Sequence, residues 1–154
     1  MTNGTDVSSG ALQTLPRLKG AQAAASDPAA HVWLSASAGT GKTQVLAARV
    51  FRLLLRGVDP GAILCLTFTK AGAAEMAQRI NGRLAAWVRM PGPALGADLI
   101  ALGEEPGQAL QNRARTLFAK VLDAPGGGRE PDVPARIARL RLRILQDREG
   151  TARV

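Results

Sequence analysis

The chain has 154 residues, 46% of them hydrophobic, with one cysteine and a formal charge of +8 carried by 16 Arg and 4 Lys. That length suits one domain with a real core, and a single cysteine excludes an internal disulfide. No apolar run in it is long enough to span a membrane, and the basic surplus favours a polyanionic partner without naming one.

Residues 1–15 are polar, with neither the basic start nor the apolar middle of a secretory signal, and are expected to form a disordered leader. A reducing cytoplasm fits this chain best. Gly20 to Ala25 (GAQAAA) suits a short helix, stopped by Ser26-Asp27-Pro28. His31 has no sequence neighbour that would make it a ligand or base. Val32-Trp33-Leu34 is a short β-favouring run that ends in a glycine-rich loop. From Lys42 to Arg56 the pattern is helical, and Arg49, Arg52 and Arg56 fall on one face, which is expected to be solvated. Gly57 to Gly61 is a turn. Ala62 to Phe68 is a continuous apolar run of strand length, in which Cys65 is expected to be a buried, inert thiol.

Thr69 can cap a second helix running to about Met90, striped by Met76, Ile80, Leu84 and Val88, with Glu75 and Arg79 spaced to pair. After Pro91-Gly92-Pro93 a small helix is expected over 97–102. A clearer one covers 108–122, striped by Leu110, Ala114, Leu117, Phe118 and Val121. Trp33 and Trp87 read as packing residues. Strand, loop, helix, turn, strand is the pattern of a right-handed crossover, so the expected fold class is α/β, with a partial parallel sheet and flanking helices.

The segment that carries chemistry is Ser35 to Thr43, SASAGTGKT. Consecutive backbone N–H groups of such a loop point into one concavity at a helix N-terminus, where the helix dipole also favours an anion. Glycines serve where the backbone takes positive φ or must come close to phosphate. In this pattern Lys42 reaches the β- and γ-phosphates, and the Thr43 hydroxyl ligates Mg²⁺. The general form G-x-x-x-x-G-K-[ST] asks for glycine where this chain has Ala36.

The variant A-x-x-G-x-G-K-T belongs to superfamily 1 helicases of the UvrD/Rep and RecB type, and Ala36-Ser37-Ala38-Gly39-Thr40-Gly41-Lys42-Thr43 resembles it. Leu66-Thr67-Phe68-Thr69 and the following Lys70 to Met76 look like the family's next motif, T-F-T-x-x-A-A-x-E-M, with a one-residue difference in spacing. Among the branches, the run from Gln22 to Thr43 is most similar to the AddA-type helicase–nuclease of double-strand-break repair. The resemblance covers about residues 20–127 and implies that residues 16–127 form the N-terminal part of a P-loop NTPase (RecA-like) lobe. It implies ATP and Mg²⁺ as cofactors, with Gln22 reading the adenine edge and residues Ala36 to Thr43 holding the nucleotide. It implies single-stranded DNA as partner, contacted by Thr67, Phe68 and Thr69, and a protein partner of AddB type. Helicase and exonuclease activity belong to the intact family.

The sequence departs from the family after Gly127. A strand with a T-I-H-A-F-C type motif and a later D-E-x-x motif are not found, and Glu104-Glu105, followed by Pro106, reads as a solvated loop. Residues 129–154 hold 7 of the 16 Arg and no Lys. This tail is expected to be an unselected, out-of-frame segment; a solvated helix over 134–147 and a nucleic-acid grip are the alternatives. On that reading the chain binds ATP·Mg weakly, has negligible turnover, and exposes an apolar sheet edge that lowers solubility. Two rival functions remain open, a small nucleic-acid-binding module using the basic end and a different P-loop enzyme such as a small kinase.

Overall fold

The computed structural model describes residues 14–35, 39 and 41–124. The expected leader (save residues 14 and 15) and the whole Arg-rich tail lie outside them. Five α-helices follow in order: α1 (Gly20–Ala25), α2 (Lys42–Leu55), α3 (Lys70–Arg89), α4 (Gly92–Ala101) and α5 (Gln108–Asp123). A single 3₁₀ turn, Pro60–Ala62, separates α2 from α3.

The expected parallel sheet is corrected here, because the described residues contain no strand. Val32 to Leu34 and Ile63 to Thr67 are irregular. Their side chains are largely in solvent: Trp33 is 94% exposed, Leu66 is 73% exposed, and Cys65 is exposed too. The reason lies in where backbone hydrogen bonds close. A helix satisfies its N–H and C=O groups within its own segment, whereas a parallel strand needs a neighbour on each side. Neither apolar run has such a neighbour among the described residues, so neither becomes a strand, and Trp33 is not the packing residue it was expected to be.

The helices bury one another instead. Val45, Ala48, Phe51 and Leu55 of α2 face Leu84 and Trp87 of α3, with Ala114 and Leu117 of α5 completing the core. The Thr69 hydroxyl accepts the Gly72 N–H at 3.0 Å and caps α3 as expected, and Arg79 pairs with Glu75 at 3.2 Å. The α3 stripe differs by one residue, since Trp87 is buried while Val88 is exposed. The Trp87 ring meets Phe51 with centroids 5.2 Å apart and planes tilted by 51°. Such a tilted pair adds to the area it buries. Helix α4 starts at Gly92, five residues before the expected position, with Pro93 in its first turn.

Arginines close the helix ends. Arg115 of α5 donates to the carbonyls of Trp87 (3.2 Å), Val88 (3.1 Å) and Met90 (2.9 Å), the otherwise open end of α3. Arg113 donates to Leu55 O at 2.9 Å, at the end of α2.

At the centre of the fold is a carboxylate. Asp98 of α4 is 0% exposed. Its Oδ2 accepts Arg83 Nε at 2.6 Å and Trp87 Nε1 at 2.7 Å. Its Oδ1 accepts Arg83 Nη2 and, at 2.9 Å, the backbone N–H of Leu15. Burying a carboxylate is costly unless such partners are present, and a two-pronged arginine is the strongest kind. One side chain thereby joins the N-terminal segment, α3 and α4. Replacing Asp98 by Ala leaves the Arg83 charge and the Trp87 N–H without their buried acceptor. Asp98→Ala is expected to lower the unfolding free energy by about 3–5 kcal/mol, as read from urea denaturation; a loss below about 1 kcal/mol would show the network to be dispensable.

Candidate nucleotide-binding site

The loop between residues 35 and 42 feeds directly into α2. Gly39 and Gly41 both have positive φ, +81° and +84°. Gly41 is the N-cap of α2 in the left-handed conformation and supplies no side-chain cap. No acidic residue lies in the first turn of α2, so nothing there opposes an anion. Lys42 opens the helix, half-buried, and the Thr43 side chain beside it is exposed. Ala36, Ser37, Ala38 and Thr40, also expected to hold the nucleotide, lie outside the described residues.

Gln22 projects from α1 onto this point. A Cβ built on Gly41 would stand 3.4 Å from Gln22 Nε2 and 3.8 Å from Gln44 Oε1. The fold therefore brings Gln22 and the start of α2 together across twenty residues of sequence. Thr67, Phe68 and Thr69 form a separate group ahead of α3. All three are exposed, the Phe68 ring fully so, while the Thr69 hydroxyl is engaged in the α3 cap. A Cβ on Gly72 would come within 2.8 Å of Thr67 Oγ1, so a glycine there lets the two threonines close over the helix start.

The residues that hold α1 against α2 are those assigned above to a solvated face. Arg49 donates to the carbonyls of Ala25 (3.3 Å), Asp27 (2.5 Å) and Ala30 (2.6 Å). Arg52 donates to Ser26 Oγ at 2.8 Å and to Glu104 Oε1 at 3.0 Å. Glu104 is thus an ion-pair partner rather than a solvated loop residue. The local reason is the end of α4: Gly103 at φ +81° lets the N–H groups of Gly103 and Glu104 turn back to Ile100 O and Leu99 O, both at 2.9 Å, which delivers Glu104 to Arg52. The sequence signal was present in the spacing of Arg49 and Arg52, but their acceptors are mostly backbone carbonyls of another segment, which no residue pattern marks.

Asp27 is held below the ordinary aspartate value, first by the Ala29 N–H donating to its carboxylate; desolvation opposes this, and the charges of Arg52, Arg56 and Arg49 add to the lowering. A cavity of about 360 Å³ opens between the Leu15–Leu18 segment, α2 and α3, lined mainly by apolar groups such as Ala48, Phe51 and Ala86. None of its lining residues belongs to the glycine loop or to the Thr67–Thr69 group. Among the described residues no cluster of His, Cys, Asp and Glu could hold a metal ion, and no helix is long and apolar enough to cross a membrane.

Comparison with known proteins decides the family. The sequence model of the UvrD/REP helicase N-terminal domain matches residues 18–118. The chain belongs to that family. It is 47% identical over 75 residues to the ATP-dependent helicase/nuclease AddA of Latilactobacillus sakei subsp. sakei (strain 23K), covering 48% of this chain and 8% of that protein. It is 42% identical over 100 residues to the protein of the same name from Lactobacillus helveticus (strain DPC 4571), covering 65% of this chain and 8% of that one. Over 54 residues it is 57% identical to that of Levilactobacillus brevis (strain ATCC 367), covering 35% and 4%. The chain thus spans less than a tenth of the length of these curated relatives. No solved structure matches it.

Two outcomes check the geometry of this UvrD/REP-type domain. Gly41→Ala forces a Cβ into a left-handed residue and against Gln22, and is expected to cost about 1–2 kcal/mol in thermal unfolding. For Asp27 the folded value lies below the unfolded one, so its stabilisation is present above the ordinary aspartate value and is lost as pH falls through the lowered one. A carboxyl NMR titration should place its midpoint below that of an exposed aspartate, and Ala29→Pro, which removes the N–H donor, should raise it.

Proposed function

We propose that this chain is the ATP-binding part of an ATP-dependent DNA helicase, of the kind represented by the AddA helicase/nuclease proteins it resembles. The observation that carries this reading is the start of α2, where left-handed Gly41 leads into Lys42 and Thr43 with Gln22 alongside. The donor set fits ATP·Mg: an uncapped helix start and a lysine for the phosphates, an exposed hydroxyl for the metal, and an amide for the base edge. In this reading the loop from Ala36 to Gly41 wraps the phosphates with backbone N–H groups, and Lys42 neutralises the β- and γ-phosphates. Thr43 orients Mg²⁺, and Gln22 selects adenine. ATP supplies the phosphoanhydride bond whose cleavage drives the motor.

Phe68, fully exposed ahead of α3, offers a stacking face for a base of single-stranded DNA, with Thr67 and the N-terminal turn of α3 beside it for phosphate oxygens. A protein of AddB type is the partner this family assignment favours, and the cytoplasm its setting. Residues 16–127 act as the nucleotide-binding unit.

A fluorescent ATP analogue titrated with and without Mg²⁺ tests the reading. Binding should tighten with Mg²⁺ and be displaced by ATP, and Lys42→Ala should weaken it at least about tenfold, one charge-assisted contact to phosphate being worth about 1.5–3 kcal/mol. Equal affinity in the wild type and Lys42→Ala would sink it.

A further inference from the structure

We infer that Arg49 is a positioning residue for nucleotide selection, acting through Gln22. The inference rests on the nucleotide-binding reading above and extends it to a side chain outside the loop. Arg49 lies seven residues after Lys42 on α2, hence two turns along the same face and about 10 Å below it. From there its guanidinium reaches three carbonyls in succession, Ala25 O at 3.3 Å, Asp27 O at 2.5 Å and Ala30 O at 2.6 Å.

Those three acceptors are the point where α1 ends and the chain turns toward the loop. Ala25 is the last residue of α1; the carbonyls of Gln22, Ala23 and Ala24 accept the N–H groups of Ser26 and Asp27, and Arg49 donates to the next one, Ala25 O. Ala30 leads into the irregular run 31–35 that enters the loop. One cation therefore fixes both flanks of the site to α2, namely the helix that carries Gln22 and the backbone that delivers residues 36–41. Without it, α1 is a six-residue helix with no side-chain cap at its start, too short to hold a position by itself.

Arginine suits this task and lysine does not. The carbonyls lie along a bend, and a planar fork with fixed donor directions spans them in one arrangement, whereas an ammonium ion on a flexible stem cannot hold three separated acceptors at once. Arg52 acts one turn further on, where it donates to Ser26 Oγ and Glu104 Oε1, side-chain acceptors rather than the backbone on either side of Ser26. Arg49 is the cation that brackets it.

The test uses the full chain and separates this inference from the reading beneath it. The first measurement needs no nucleotide: the NMR contact between the Gln22 side-chain amide and the Gly41 α-protons in wild type, Arg49→Lys and Arg49→Gln. The contact is expected to be lost in Arg49→Gln and weakened in Arg49→Lys, with far-UV helicity kept. Its persistence in both variants overturns the inference whatever the chain binds. The second measurement compares ATP, GTP and tripolyphosphate as competitors of the fluorescent analogue. Arg49→Gln and Gln22→Ala should each reduce the preference for ATP over GTP by about three- to tenfold, the loss of one hydrogen bond, with tripolyphosphate affinity unchanged. The double variant should lose no more than either single one, because both act through one contact. Additive losses, or a fall in tripolyphosphate affinity equal to that in ATP affinity, overturn the inference in favour of a general packing role. Failure of the wild type to bind either ATP or tripolyphosphate defeats the nucleotide-binding reading instead, and the NMR contact still decides whether Arg49 positions Gln22.

Discussion

The carboxylate of Asp98 governs how the helices meet. A charged group removed from water needs compensation from every side, and Asp98 draws it from three groups on two other segments: the guanidinium of Arg83 and the indole N–H of Trp87 on α3, and the backbone of Leu15. Because those partners must converge on two oxygens, α3 and α4 have little freedom to slide. The consequences run outward. With α4 fixed, its end places Glu104 against Arg52; with Arg52 held, Ser26 and the end of α1 are held. The chain of contacts from Asp98 to Gln22 is a sequence of polar bonds, each giving direction to the next, laid over a core that is apolar and would tolerate other arrangements.

Arginine is the connector throughout. Arg49, Arg113 and Arg115 end on backbone carbonyls, Arg83 ends on a carboxylate and Arg52 ends on a carboxylate and a hydroxyl. Part of the basic surplus is therefore engaged inside the domain and is withheld from an external polyanion. This changes the meaning of the net charge, which by itself favours a nucleic-acid partner. The DNA partner proposed above therefore rests on the family and on the exposed Phe68 rather than on charge.

The apolar runs 32–34 and 63–68 show the opposite behaviour. Both are of strand composition, yet both are irregular, with Trp33, Leu66 and Phe68 turned to solvent. Composition supplies a strand with its side chains but not with its neighbours, and hydrogen bonds to a neighbour are what make it a strand. Helices α2, α3 and α5 carry their own hydrogen bonds and bury one face each, so their positions along the chain were readable to within a residue or two.

The sequence by itself determined the glycine loop and its lysine, the three long helices, the Thr69 cap and the membership of the helicase family, because each of these is written in local spacing. Tertiary structure alone decided that the expected sheet is not formed among the described residues, that Trp87 rather than Trp33 enters the core, and that Asp98 is a buried hub. It alone turned Arg49 and Arg52 from a solvated stripe into the clamp on α1. The physical reason is common to all of these: each depends on a partner far away in the chain, often a backbone carbonyl that any residue could provide, and residue patterns carry no trace of such partners.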